Sequence, residues 1–376
     1  MNRFDRPPSP RRRSARTDPS RARGEPAPGR RRCIGAPQRS RGFSLVEVMV
    51  ALTLGLLLLL GLTVYFVDSS RNFSEGERVS RQIENGRYAI NLLSQDIRHA
   101  GFYGEGWSFG TAPTGTPPDP CSTTLSTLVS ALPVAIHGID FVPGTSDPSG
   151  ALPSCIPDHV AGTDVLVVRR ARTTTIPAAN AVSSGYYTQA SLCNDEKPAF
   201  QLATTGFTLT QKDCTTPAPI RQFHTFIYFV SPCSRATGTG GACQTSDAPL
   251  PTLKRMELGP GGWTVVPLVE GIENVQFEYG LDTDASPDGG PDSFTANPTA
   301  TGTAWNSVVA VRIYLIARSV DATPAYTDSK TYRLGANADG SANDVTPGGA
   351  YKRHEFTGLV RVVNMSQRRE RLYGAS

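Results

Sequence analysis

The sequence predicts an α+β protein in which a long N-terminal helix, transmembrane and then amphipathic, packs on a mainly antiparallel β-sheet globular domain. Three observations carry this. Val48 to Val67 is a run of 20 residues without a charge. Past it, apolar residues recur at helical spacing as far as Ile97. Beyond Gly101 the pattern changes to short apolar runs divided by turns, and 36 glycines and 30 prolines among 376 residues suit a turn-rich fold.

The chain opens on a basic leader, residues 1–42. It holds thirteen arginines, no lysine and three acids (Asp5, Asp18 and Glu25), a net of +10. The whole chain carries +4, so everything after Gly42 carries −6. A basic nucleic-acid surface is therefore not expected on the folded part. The leader itself has almost no large apolar residue to bury and reads as a disordered cytoplasmic tail. A start assigned too far upstream, or a basic arm for nucleic acid, are the competing readings.

The 20-residue run is long enough to cross a bilayer core as a helix. Arg39 and Arg41 crowd its N-terminal side, so the positive-inside rule puts the N-terminus in the cytoplasm and everything after Asp68 outside. An ordinary signal peptide fits poorly, because the run is too long and no small-x-small site follows it. Farther on, Val79, Ile83, Ile90, Leu93 and Ile97 make one helical face, with Arg81, Glu84, Arg87, Asp96 and Arg98 between them. Gly86 interrupts this pattern, and Gly101 and Gly104 end it. The expectation is one helix of roughly 55 residues; the heptads are too few to prefer a coiled coil.

The clearest strand-like runs after the helix are Asp164–Arg170, Phe223–Val230, Val275–Tyr279, Val308–Ala317 and Gly358–Val363. Alternation in the fourth puts Val309, Val311, Ile313 and Leu315 on one side, as in a half-buried antiparallel sheet. Neither an internal repeat nor a βαβ alternation occurs. Six cysteines follow the apolar run: Cys121, Cys155, Cys193, Cys214, Cys233 and Cys243. Their even number suits disulfides in an oxidising compartment, whereas zinc is disfavoured by the lack of a Cys-x-x-Cys pair or a histidine at ligand spacing. Fifteen pairings are possible, and short loops favour neighbour with neighbour, Cys121–Cys155, Cys193–Cys214 and Cys233–Cys243. Cys33, before the membrane run, is left as a free thiol.

The decisive chemistry stands at the entrance of the apolar run, Gly42-Phe43-Ser44-Leu45-Val46-Glu47. A lone carboxylate in a membrane segment costs about 2.5–3.5 kcal/mol on insertion scales, so Glu47 needs a partner. The run offers no Lys, Arg or His. Cleavage after Gly42 would supply one, the new amine of Phe43, on this chain or on a neighbouring subunit whose helix stacks alongside.

The stretch GFSLVEVMVAL resembles the prepilin cleavage and N-methylation motif of type IV pilins and of type II secretion pseudopilins. The resemblance implies a membrane-embedded peptidase that cuts after Gly42, an N-methylated Phe43 as the first mature residue, and Glu47 as the family's assembly glutamate. The leader departs from the family in being much longer than usual. QIENGRYAINLLSQDIRHAGFYG (Gln82 to Gly104) resembles the helix exit of PilW-like minor pilins. LVEGIENVQFEYGLD and SVVAVRIYLIARS look like later strands of that group, and LVRVVNMSQRR like its closing strand. The resemblance spans residues 42–104 and 268–364. Residues 105–267, with all six cysteines, read as a disulfide-bearing insertion in the periplasmic globular domain 101–376.

What the resemblance implies is a minor pilin that primes pilus assembly and is carried at the fibre tip. Its partners would be other minor pilins and the major pilin through the N-terminal helix, the prepilin peptidase, and the assembly platform in the inner membrane. It implies no cofactor and no active site. The chain would begin as a single-pass inner-membrane protein, N-terminus cytoplasmic and globular domain periplasmic, and end in the extracellular pilus. One alternative is a type II secretion pseudopilin of the J kind, whose globular part is usually shorter. The other is a membrane-tethered periplasmic enzyme or binding module, with an uncleaved anchor and no need of Glu47.

Other candidates are bland beside this. Asp282, Asp284, Asp288 and Asp292 crowd one loop, and Asn337, Asp339, Ser341 and Asn343 another. Oxygen-rich loops can hold Ca²⁺, but neither follows the EF-hand spacing, and such residues are favoured in turns anyway. The five histidines form no metal motif, and no Gly-x-Ser-x-Gly or Walker-type loop is present.

Overall fold

A computed structural model describes residues 42–106, 109, 116–301 and 305–373; the leader, apart from Gly42, and Cys33 lie outside the described residues. The chain divides into two units, Met1–Tyr65 and Phe66–Ser376. Helix α1, Leu45–His99, runs unbroken for 55 residues and gives its first part to one unit and its second to the other.

In the first unit α1 is bare. From Phe43 to Tyr65 every side chain is exposed, with Gly55 alone half-buried. The helix is long and apolar enough there to cross a membrane.

In the second unit the elements follow as α2 (Leu125–Ser130), β1 (Ile136–Ile139), β2 (Val165–Ala171), β3 (Tyr187–Ala190), β4 (Phe200–Ala203), β5 (Ile220–Ser231) and β6 (Thr252–Gly259). Then come β7 (Gly262–Glu270), β8 (Ile272–Leu281), β9 (Ser293–Thr295), β10 (Val308–Arg318), β11 (Tyr332–Ala336), β12 (Ala342–Val345), β13 (Arg353–Arg361) and α3 (Val363–Tyr373). Strands β1 to β7 form a seven-stranded sheet, β13-β10-β8-β9 a four-stranded one, and β11-β12 a small ribbon. The strand pairs are antiparallel, with Leu166 opposite Tyr228, Ile313 opposite Phe277 and Leu315 opposite Phe356.

One core joins the two larger sheets and the second part of α1. Ala89, Leu93 and Ile97 of the helix meet Leu166 and Val168 of β2, Val275 and Phe277 of β8, and Val311, Ile313 and Leu315 of β10. The alternation of β10 then sends Tyr314 and Ile316 the other way, against Tyr332 and Leu334 of the ribbon. A second apolar layer covers the far face of the seven-stranded sheet, where Val165, Val167, Ile227, Phe229 and Met256 meet Phe141 and Ile156. The Cys121–Cys155 disulfide lies over that layer, and Trp263 donates its indole N–H to the Cys121 carbonyl at 2.9 Å. The other disulfides are Cys193–Cys214 and Cys233–Cys243.

Residues 105–267 supply six strands and most of a seventh to a sheet that shares the main core. One stretch differs from its expectation. LVRVVNMSQRR is not one strand, because β13 stops at Arg361 and α3 starts at Val363. The cause is local: the Val362 amide still bonds the Val309 carbonyl at 2.7 Å, but its own carbonyl accepts from Met365 and Ser366 and turns the chain into a helix.

Candidate functional site

The entrance of α1 is built from its first residues upward. Gly42, Phe43 and Ser44 precede the helix, and the Ser44 carbonyl accepts the Val48 amide at 3.1 Å. Glu47 stands in the first turn, where free N–H groups and the helix dipole favour negative charge. That is a second local reason for a carboxylate at 47. Among the described residues no cation pairs with it. A Cβ added at Gly42 would meet nothing within 4 Å, so packing does not require the glycine.

The second part of α1 is tied to both sheets. Gln82 donates to the Ala317 carbonyl of β10 at 2.7 Å, and Asn85 to the Glu270 carbonyl of β7 at 3.0 Å. Glu75 pairs with Lys352 at 2.6 Å, which holds the Glu75 carboxyl below its usual range. Gly86 faces β13: a Cβ there would stand 2.1 Å from the Phe356 ring. The predicted apolar face is only part of the contact. Leu93 and Ile97 are buried and Ile83 and Ile90 half-buried, but Val79 is exposed, and Gln82, Gly86, Ala89, Ser94 and Asp96 complete the buried set.

Asp96 is a residue that the helical pattern missed. It is 6% exposed and takes the guanidinium groups of Arg170 on β2 at 2.8 Å and Arg255 on β6 at 3.1 Å. The Tyr228 hydroxyl of β5 also donates to it. Burial and the Asp96 charge push the Tyr228 hydroxyl up, so it stays a donor. Both arginines lie over the Phe226 ring, at 5.1 and 4.4 Å. Spacing alone could not reveal this group, whose members come from one helix and three strands.

The acidic loop does not converge on a centre. Asp282 is buried and accepts from the Gly289 amide at 2.8 Å, Asp288 from the Gly290 amide at 2.7 Å, and Asp292 from the amide and hydroxyl of Thr283. Asp284 is left exposed, its carboxyl pushed up chiefly by Asp292. In the other loop, Asp339 holds the Ser341 amide and hydroxyl, and Asn343 donates to Gln276. Among the described residues the groups with metal-ligand spacing are Asp158 with Cys233 and Cys243, and Asp195 with Cys193 and Cys214; their sulfurs are bound in disulfides. The histidines stay apart: His137 accepts from buried Arg169 at 3.0 Å, His159 pairs with Asp147, and burial beside Arg172 pushes His224 down to about 4.

Two family models match the chain. One, described as Type IV Pilus-assembly protein W, covers residues 227–364. The other, the prokaryotic N-terminal methylation motif, covers residues 37–63. The first runs from β5 to the start of α3 and so takes in residues 227–267, which the resemblance read from the sequence left out. No curated protein and no solved structure matches.

Proposed function

Because this chain is a minor pilin of the type IV pilus, of the PilW kind, we propose that it is made as an inner-membrane prepilin and cut between Gly42 and Phe43. The leader, residues 1–42, is removed by the prepilin peptidase, and the Phe43 amine is methylated. The mature helix then packs by its apolar part among the helices of other minor pilins and the major pilin. Glu47 pairs with the Phe43 amine of a neighbour, and the globular domain faces the periplasm. In this role the chain helps to prime assembly at the inner-membrane platform and travels into the fibre, as a structural part with no chemistry of its own. A secretion pseudopilin is not favoured over this.

The observation that carries the reading is the motif Gly42 to Glu47 opening directly onto a 20-residue charge-free stretch of α1 whose apolar side chains are exposed among the described residues. Such a surface is stable only in lipid or among like helices. The test is the N-terminal residue of the protein purified from membranes, read by mass spectrometry, with and without the host's prepilin peptidase. A chain starting at N-methylated Phe43 only when the peptidase is present is the expected result. A chain that keeps its arginine-rich leader in both would sink the reading and leave a tethered binding module.

A further inference from the structure

Beside the turn that closes α1 lies a cavity of about 250 Å³, lined by residues 101–106 on one side and by Asn364, Gln367, Arg368 and Arg371 on the other. Two devices hold its walls. Gly101 and Gly104 take φ of +74° and +85°, which only glycine adopts without strain, and so bend the chain back sharply. Asn364 of α3 donates to the Ala100 carbonyl at 3.1 Å and fixes α3 against the end of α1.

The lining is cationic and unpaired. Arg368 is half-buried, its guanidinium lying over Tyr103 at 5.3 Å and Phe109 at 4.5 Å while it donates to the Gly101 carbonyl. Burial lowers its pKa, the sign of a charge deprived of water. Arg371 is exposed at the rim. Among the described residues neither has a carboxylate partner. Glu105, the acid of the lining, is held elsewhere by Arg221 at 3.0 Å. Nor does the sequence from Trp107 to Gly115 supply an acid.

A desolvated guanidinium gains most from a planar, bidentate anion, and a carboxylate matches its fork. The cavity is smaller than the roughly 300–1,000 Å³ of pockets that hold whole small molecules, so its size suits a single side chain. We propose that this cavity takes the carboxylate of an aspartate or glutamate from a neighbouring pilus subunit. The identity of the donor rests on the proposed function; the carboxylate itself does not.

The test uses the full chain in detergent micelles, with ¹⁵N-labelled arginine, titrated with N-acetylglutamate amide and with its neutral isostere N-acetylglutamine amide. The acid, and not the isostere, shifts the side-chain N–H signals of Arg368 and Arg371, while those of surface-paired Arg333 stay put. Arg371→Gln weakens the acid by about tenfold or more, the worth of a charged hydrogen bond. Equal response to both probes, or tighter binding of inorganic phosphate, overturns the proposal. So does binding that emerges only after residues 374–376 are removed, since the chain's own tail would then be the occupant. In cells, Arg371→Glu lowers the recovery of crosslinked pilus subunits without changing cleavage after Gly42. Unchanged recovery overturns the assignment to a pilus subunit, whereas loss of cleavage in the parent protein would sink the pilin reading instead.

Discussion

Gly86 lies in the middle of a helix, where alanine is ordinarily the better residue by about 0.5–1 kcal/mol. Here the preference reverses. The Phe356 ring stands where the methyl group would be, and overpacking of this kind costs about 1–3 kcal/mol. Gly86→Ala is therefore expected to lower the melting temperature, by about 2–4 °C for a net loss near 1 kcal/mol, as measured by differential scanning fluorimetry. Phe356→Leu in the same chain should relieve the loss. Asp96 makes the opposite case. Asp96→Ala would strip two half-buried arginines of their shared acid and should cost about 3 kcal/mol in chemical denaturation. A change within about 0.5 kcal/mol, typical of a surface site, would contradict the buried network. Neither role was legible in the sequence. Gly86 read as an interruption because the ring that demands it lies 270 residues away, and Asp96 read as a charge on the wet face because its partners come from three strands.

At the level of elements, α1 was legible almost to the residue. A charge-free run followed by three-and-four spacing admits little else, and Gly101 with positive φ closes it as expected. The long apolar strands β2, β5, β8 and β10 were legible for a similar reason, since each is too apolar to be left in water. The short ones were not. β3 (YTQA) and β4 (FQLA) are four residues each, and β6 carries Lys254 and Arg255 in a strand that is largely buried, so the polar pattern hid most of the seven-stranded sheet. The entrance of α1 yields a prediction of its own. On the proposed function, Glu47→Ala leaves cleavage after Gly42 largely intact but lowers the surface pili counted by electron microscopy. Normal piliation would sink the assembly role given to Glu47.

For the molecule as a whole, the three disulfides close loops of 34, 21 and 10 residues, all in the part that carries the larger sheet. Loop-closure entropy ranks them in that order, from about 4 kcal/mol for the longest to about 3 kcal/mol for the shortest. Cys121→Ser with Cys155→Ser should therefore lower the denaturation midpoint most, and Cys233→Ser with Cys243→Ser least. A reversed ranking would mean that the satellite layer under Trp263 holds without its staple.

The ties of α1 also impose an order in time. Gln82 bonds a carbonyl 235 positions later, and Asn364 reaches back 264 positions to Ala100. Contacts this distant in the chain form late and slow the search for the native state. A nascent chain emerging N-terminus first has its helix long before it has the strands that cover Leu93 and Ile97, so that face stays naked until β10 and β13 arrive. Throughout that interval a chaperone or a protease has its chance, and the quality of the finished product depends on which of them is waiting.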